Sequence, residues 1–280
     1  MDIEIPQYTL NDGTTIPAIA LGTYKLRGAA GVDAMVNGIR AGYRLLDSAF
    51  NYENEGALGA AVERAGVPRE DLRLTSKLPG RHHRYDEAVE TVHESLYRAG
   101  LDYWDLYLIH WPNPRVDLYV EAFQALVDLQ KEGLIRSVGV SNFLPEHLQR
   151  LIAEVGVTPA INQIELSPYW PQPDMRAVDE DLGIRTESWS PLGRGTKISS
   201  EPVVGDIAAA HGVTPVQTIL RWHTQLGAIP LPKSQNPERQ LQNLSVFGFS
   251  LAEDEMAAIS ALARPDGRTN DQDPAVYEEF

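Results

Sequence analysis

Residues 44–55, RLLDSAFNYENE, decide how this chain is read. Leu45 and Leu46 form a short apolar strand that ends in Asp47. A turn follows that presents Tyr52, and a charged helix start follows at Glu53 to Glu55. An acid and a phenol straddling a strand end are a catalytic arrangement in need of partners. Two appear further on in similar settings: Lys77 in LRLTSKL and His110 in WDLYLIHWP. A phenol, with a reference pKa of about 10, is a poor acid near neutral pH. A nearby ammonium favours the phenolate, and a carboxylate holds that ammonium charged and in place.

Singly, each of these residues has an ordinary structural role. Asp caps turns, Tyr packs, a strand-end Lys is solvated, and a His between Ile109 and Trp111 sits satisfied in a core. As a set they carry more weight. All four lie at or just past the C-terminal ends of successive strand candidates, where parallel α/β folds keep their chemistry.

Outward from this stretch the chain alternates. YTLNDGTTIP, Tyr8 to Pro17, reads as a hairpin turning at Asp12-Gly13. Strands are then expected at 18–21, 44–47, 72–78, 104–110, 135–141, 160–165, 184–190 and 228–231. Helices are expected between them at 32–41, 53–65, 86–99, 118–131, 146–155 and 174–181, then at 205–211, 215–225, 238–244 and 252–262. Glycines 42, 100, 133, 183 and 227 stand before strands, as helix C-termini require. The linkers are short, so residues 1–280 are expected to form one domain. Eight strand–helix units in this length predict a (β/α)8 TIM barrel with an N-terminal β-hairpin cap. A doubly wound dinucleotide fold would need GxGxxG after its first strand, and LGTYKLRG is not that. The tail from Arg264, RPDGRTNDQDPAVYEEF, reads equally as a loop folded back over the barrel mouth or as disorder.

Composition narrows the function. A net charge of −15 argues against nucleic acid or an anionic membrane as a general partner. The chain has no cysteine, which excludes disulfides and thiolate metal sites. No apolar run approaches the roughly 20 residues that span a bilayer. MDIEIPQYTL has no signal-peptide pattern, so a cytoplasmic protein, taken as a monomer, is expected.

The remaining chemistry also sits at strand ends. Ser141, Asn142 and Gln163 offer directed hydrogen bonds suited to a carboxamide. Trp189 could stack on a flat ring or pack in the core, and SPLGRG after it could close over a pyrophosphate. Lys233, Ser234 and Arg239, in PLPKSQNPERQLQN, combine two cations and a hydroxyl around a turn that opens a helix. That is a phosphate cradle in an otherwise acidic chain, or else two solvated surface charges.

LGTY (21–24), DSAFNYENE, TSKL, LIHWP, VGVSNF, NQIELSP, SWSPLG and LPKSQNPER, in this order, span essentially the whole chain and resemble the aldo-keto reductase family. Within it, the compact loops are similar to the bacterial branch of 2,5-diketo-D-gluconate reductases. The resemblance implies a barrel that binds NADPH across its C-terminal face and reduces small aldehydes or ketones without a metal. It makes Tyr52 the general acid, Lys77 and Asp47 its tuning pair, and His110 the residue that orients the carbonyl. It assigns Ser141, Asn142 and Gln163 to the carboxamide, Trp189 to the nicotinamide, and Ser190, Leu192 and Gly193 to the pyrophosphate. Lys233, Ser234 and Arg239 take the 2′-phosphate, with Gln242 and Asn243 near the adenine. Tyr24, Phe50, Trp111 and Trp170 would line an aromatic substrate pocket. Two departures stand out: Gln242 replaces a common Glu, and Tyr24 a frequent Trp. Two rival readings are a cofactor-binding regulatory barrel resembling potassium-channel beta subunits and an aldolase-like barrel with Lys77 as Schiff-base nucleophile.

Overall fold

The structure is a computed structural model that describes residues 4–270 and 272–280. A hairpin opens the chain, with β1 (Gln7–Thr9) antiparallel to β2 (Thr15–Pro17). Eight strands follow in one sheet: β3 (Leu21–Gly22), β4 (Leu45–Asp47), β5 (Arg73–Leu78), β6 (Trp104–Ile109), β7 (Ile135–Ser141), β8 (Ile161–Glu165), β9 (Arg185–Trp189) and β10 (Ile229–Pro230). Each is parallel to the next in sequence order, and helices intervene. Two backbone bonds join the first strand region to the last: Ala20 N donates to Pro230 O (3.1 Å) and Gly22 N to Pro232 O (3.2 Å). The sheet thereby curls round on itself as the expected α/β barrel.

Side-chain parity explains why this sequence builds a barrel. In β6, Leu106 and Leu108 point inward to a cluster with Leu45, Ile161 and Ile229. Tyr107 and Ile109 point outward and pack with Phe123, Leu126 and Val92 of the surrounding helices. A strand has a side-chain period of 2, so alternate residues serve the barrel interior and the helix layer. Both sets are apolar, as a parallel sheet covered on both faces requires. Leu10 and Ile16 of the hairpin join the inner cluster and plug the barrel floor. Leu108 is fully buried there, and Leu108→Ala would cost about 2–5 kcal/mol.

Helix ends follow local chemistry. Thr214 caps the helix Pro215–Gln225: its Oγ1 accepts from Gln217 N (3.2 Å), and Gln217 Oε1 accepts from Thr214 N (3.0 Å). Asn236 caps Pro237–Leu244 by accepting from Arg239 N at 2.9 Å. Glycines 42, 100, 133, 183 and 227 all adopt positive φ at helix ends.

Most predicted boundaries hold to within three residues. The largest shift is at the first helix, which starts at Gly28 instead of Val32; a smaller one affects the second helix of the series. It starts at Glu55 instead of Glu53, because Phe50–Tyr52 form a 3₁₀ turn first. The expected charged helix start is only half so. Glu53 is exposed, while Glu55 is buried and accepts from Ser76 Oγ and Ser95 Oγ at 2.5 Å each.

Candidate active site

The same parity places the site. Asp47, Lys77, Ser141, Gln163 and Trp189 are inward-facing residues in the C-terminal parts of β4, β5, β7, β8 and β9. His110 follows β6, two residues beyond the inward Leu108. A cleft of 590 Å³ opens above them, within the size range of cofactor and ligand sites. Among its lining residues are Tyr24, Asp47, Tyr52, His110, Trp111 and Lys233.

Lys77 is the centre of the polar network. Its Nζ donates to Asp47 Oδ2 (2.7 Å) and Ser48 O (2.7 Å) and lies 5.1 Å from the Tyr52 ring centroid. Burial works against its charge, but Asp47, Tyr52 and Glu187 outweigh it and hold the ammonium above its ordinary value. Tyr52 sits on a turn pinned by buried Asn54, which accepts from Ser48 Oγ (2.7 Å) and donates to Thr23 O (2.8 Å). Tyr24 and His110 meet the Tyr52 ring edge-on, with centroids 5.1 and 5.9 Å away.

The net effect on the phenol differs from the expectation drawn from Lys77 alone. Burial is the largest influence and pushes Tyr52 up to about 12; Lys77 pulls it down, and Asp47 and Glu279 push it up again. The ring is only half-buried and lines an open cleft, so water there works against the push. Lys77 therefore offsets a desolvation cost and keeps a neutral phenol poised, a different role from making it acidic.

Gln163 shows which of its ends faces the cleft. Its Nε2 donates to Asp47 Oδ2 (2.9 Å) and to Glu187 Oε2 (2.8 Å). Two acids on one end assign the amide orientation and leave Oε1 as the free acceptor. Asn142, in left-handed backbone at φ 64, accepts from Trp189 Nε1 (2.7 Å) and donates to Ser141 Oγ (3.0 Å) and His110 O (3.0 Å). Asn is one of the few residues that tolerates that conformation. These bonds hold Ser141, Asn142, Gln163 and Trp189 together along one wall.

Further along the cleft, Ser190 and Leu192 line it beside Trp189, and Gly193 curls the loop at φ 55. Lys233 and Arg239 are exposed and make no salt bridge among the described residues. They flank buried Ser234 at the start of Pro237–Leu244. Gln242 is exposed, whereas Asn243 is buried.

Two expected pocket residues lie elsewhere. Phe50 packs against His82 (5.8 Å between centroids) and under the Arg98 guanidinium (4.0 Å). It shares the 3₁₀ turn with Tyr52, and residues two apart in such a turn face different ways. Trp170 sits under Arg268 on the far side of the Trp189 wall. The tail folds back over the barrel mouth, with Gln272, Tyr277 and Glu279 lining the cleft. The Tyr277 ring lies 4.4 Å from Trp111.

Reading by sequence missed Glu187 and Glu279. Glu187 had a signal: it is a charged residue at an inward position of β9, two before Trp189. Burial is the main cause that pushes its carboxyl up to about 8, with Asp47 adding to the push. Glu279 had none, since its place depends on how the tail folds.

The aldo/keto reductase family profile matches residues 18–264. The chain belongs to the aldo-keto reductase family. It is 52% identical to 2,5-diketo-D-gluconic acid reductase B of Corynebacterium sp. (strain SHS752001), over 99% of both chains. It is 44% identical to a methylglyoxal reductase of Escherichia coli (strain K12), over 90% of this chain and 92% of that one. Among solved structures, a variant of Gox0644 in complex with NADPH superposes with a TM-score of 0.93 at 40% identity, covering 98% and 99% of the two chains. A Bombyx mori aldo-keto reductase in complex with NADP superposes at 0.91 and 35% identity, covering 99% of each chain.

Proposed function

We propose that this aldo-keto reductase reduces small aldehyde or ketone carbonyls with NADPH, and that Tyr52 delivers the proton. The observation that carries the reading is Lys77 Nζ bonded to Asp47 at 2.7 Å beneath the Tyr52 ring, with His110 across it.

The residues present fit the cofactor. Gln163 Oε1 is a free acceptor for a carboxamide N–H, beside Ser141 and Asn142. The Trp189 indole, fixed by Asn142, offers a face for a flat ring. Ser190, Leu192 and Gly193 would take the pyrophosphate, and Lys233, Ser234 and Arg239 the 2′-phosphate at a helix N-terminus. Gln242 and Asn243 would flank the adenine, with Gln242 the more accessible. When bound, NADPH supplies the hydride; the protein supplies position and the proton.

The substrate oxygen would sit between the Tyr52 hydroxyl and the His110 ring. Tyr52 gives up its proton to that oxygen as the alcohol forms, and Lys77 stabilises the phenolate left behind. Tyr24 and Trp111 border the substrate side of the cleft, and Trp111 is held there by Tyr277. The names of the relatives suggest small dicarbonyls and keto-sugar acids as the first substrates to try.

The Schiff-base reading meets an obstacle. Lys77 has no exposed surface, and Asp47 and Ser48 engage its Nζ, so it is not placed to attack a carbonyl. No helix among the described residues is long and apolar enough to cross a membrane. We further propose a cytoplasmic, single-domain protein that is a monomer, the last of which sedimentation would test. A panel of aldehydes, diketones and keto-sugars with NADPH, followed by loss of nicotinamide absorbance, tests the activity. No turnover of any member would reject it.

A further inference from the structure

The penultimate residue of the chain is built into the cleft. Glu279 Oε1 lies 2.7 Å from His110 Nδ1 and accepts from Asn51 Nδ2 at 2.8 Å. Its Oε2 accepts from Gly80 N at 2.9 Å. Buried Asn113 clasps its main chain from both sides: Nδ2 donates to Glu279 O (2.8 Å), and Oδ1 accepts from Glu279 N (3.0 Å). Gly80 is needed at this point, because a Cβ there would stand 2.5 Å from Glu279 O. Segments after β4, β5 and β6 thus converge on one carboxylate from the far end of the chain.

We propose that Glu279 is a positioning residue for His110, holding the Nδ1 edge of the ring so that Nε2 faces the substrate carbonyl. The inference rests on the reductase reading above. His110 Nδ1 is buried, whereas Nε2 keeps access to the cleft. The Nδ1 contact is short but bent, outside strict hydrogen-bond alignment, so Glu279 acts on the ring by charge as much as by direction. A ring that donates from both nitrogens, to Glu279 and to the carbonyl oxygen, carries a positive charge that the carboxylate balances. Burial works against ionised Glu279, but His110, the Gly80 N–H and Asn51 outweigh it and hold its carboxyl below the usual range. No atom is transferred to or from Glu279; it orients the group that meets the substrate, as a carboxylate orients a catalytic imidazole elsewhere.

Histidine-ring ¹⁵N NMR of the full chain without cofactor tests this, with the His110 resonance assigned by its loss in His110→Asn. Steady-state kinetics and NADPH binding by tryptophan fluorescence accompany it for Glu279→Ala, Glu279→Asp and, as a tail control, Glu278→Gln. Glu278 ties the same segment to Arg115 N without touching His110. The expected results are a protonated Nδ1 in wild type that shifts in Glu279→Ala, and a kcat loss of about 10- to 100-fold there. Glu279→Asp should recover part of that loss, Glu278→Gln should match wild type, and NADPH binding should stay unchanged in all. An unchanged Nδ1 signal in Glu279→Ala, a kcat like wild type, or an equal loss in Glu278→Gln would overturn the inference. So would a gain in kcat/KM, which would make the tail an obstruction. If wild type reduced no carbonyl, the reductase reading would fail, while the NMR arm would still decide the pairing.

Discussion

Lys77 Nζ sits 2.7 Å from Asp47 Oδ2 inside the barrel mouth, with the lysine side chain fully buried and the aspartate 6% exposed. Two charges so placed hold each other there, and removing one strands the other. Lys77→Met should therefore cost about 3–5 kcal/mol of stability as well as activity. Lys77→Arg should not restore activity, since the guanidinium fork cannot reproduce a point donor to Asp47 and Ser48. Chemical denaturation beside kcat measurements checks both statements. A fully active, equally stable Lys77→Met protein would contradict them.

Tyr52→Phe tests the proposed proton donor. It should lower kcat by about 10²–10⁴-fold, the usual worth of general acid help, while NADPH still binds. With the wild-type phenol pushed up to about 12, reduction should show no loss from Tyr52 ionisation below about pH 10. A variant that kept more than about a tenth of wild-type kcat, with chemistry rate-limiting, would remove Tyr52 from this role.

In the proposed function, cofactor choice rests on Lys233, Ser234 and Arg239. Charge-assisted hydrogen bonds are worth roughly 1.5–3 kcal/mol each, less where solvent screens them, as it does at exposed Lys233 and Arg239. NADPH should be preferred over NADH by about 10- to 1,000-fold in kcat/KM, the lower half of that range being expected. Arg239→Ala should weaken NADPH use far more than NADH use, and added salt should shrink the preference in wild type. Equal use of both cofactors by wild type, or an equal loss for both in the variant, would show that these residues do not read the phosphate.

Glu187 links the site to stability. Its carboxyl rises from 4.5 to about 8 in the folded chain, so between those values the folded state binds the extra proton. Stability that is present at low pH is then lost as pH rises from 4.5 towards 8. Glu187→Gln removes that loss, so its melting temperature should gain on wild type across this window and level off above it. Buried His83 and His223, lowered to about 4 and about 3, act in the opposite sense, losing stability as pH falls below 6.5. Both are present in each protein and cancel in the difference. A constant gap in melting temperature from pH 5 to 9 would refute the assignment.

The sequence by itself determined the barrel and the chemistry at its mouth. Alternation of period 2 in strands such as WDLYLI put Leu106 and Leu108 inside and Tyr107 and Ile109 outside. The same parity carried Asp47, Lys77, Gln163 and Trp189 to the inner C-terminal rim, because strand periodicity is a local property of the backbone. Only the tertiary structure decided what lies between elements distant along the chain. Phe50 left the pocket because a 3₁₀ turn intervened, a choice set by Asn54 reaching back to Thr23 and Ser48. The Tyr52 phenol rose because burial, a sum over many distant atoms, outweighed the one adjacent ammonium. Glu279 reached His110 from 169 positions away because Asn113 and Gly80 receive its main chain and carboxylate. No spacing or periodicity encodes such a contact; it exists only where packing closes the tail over the barrel mouth.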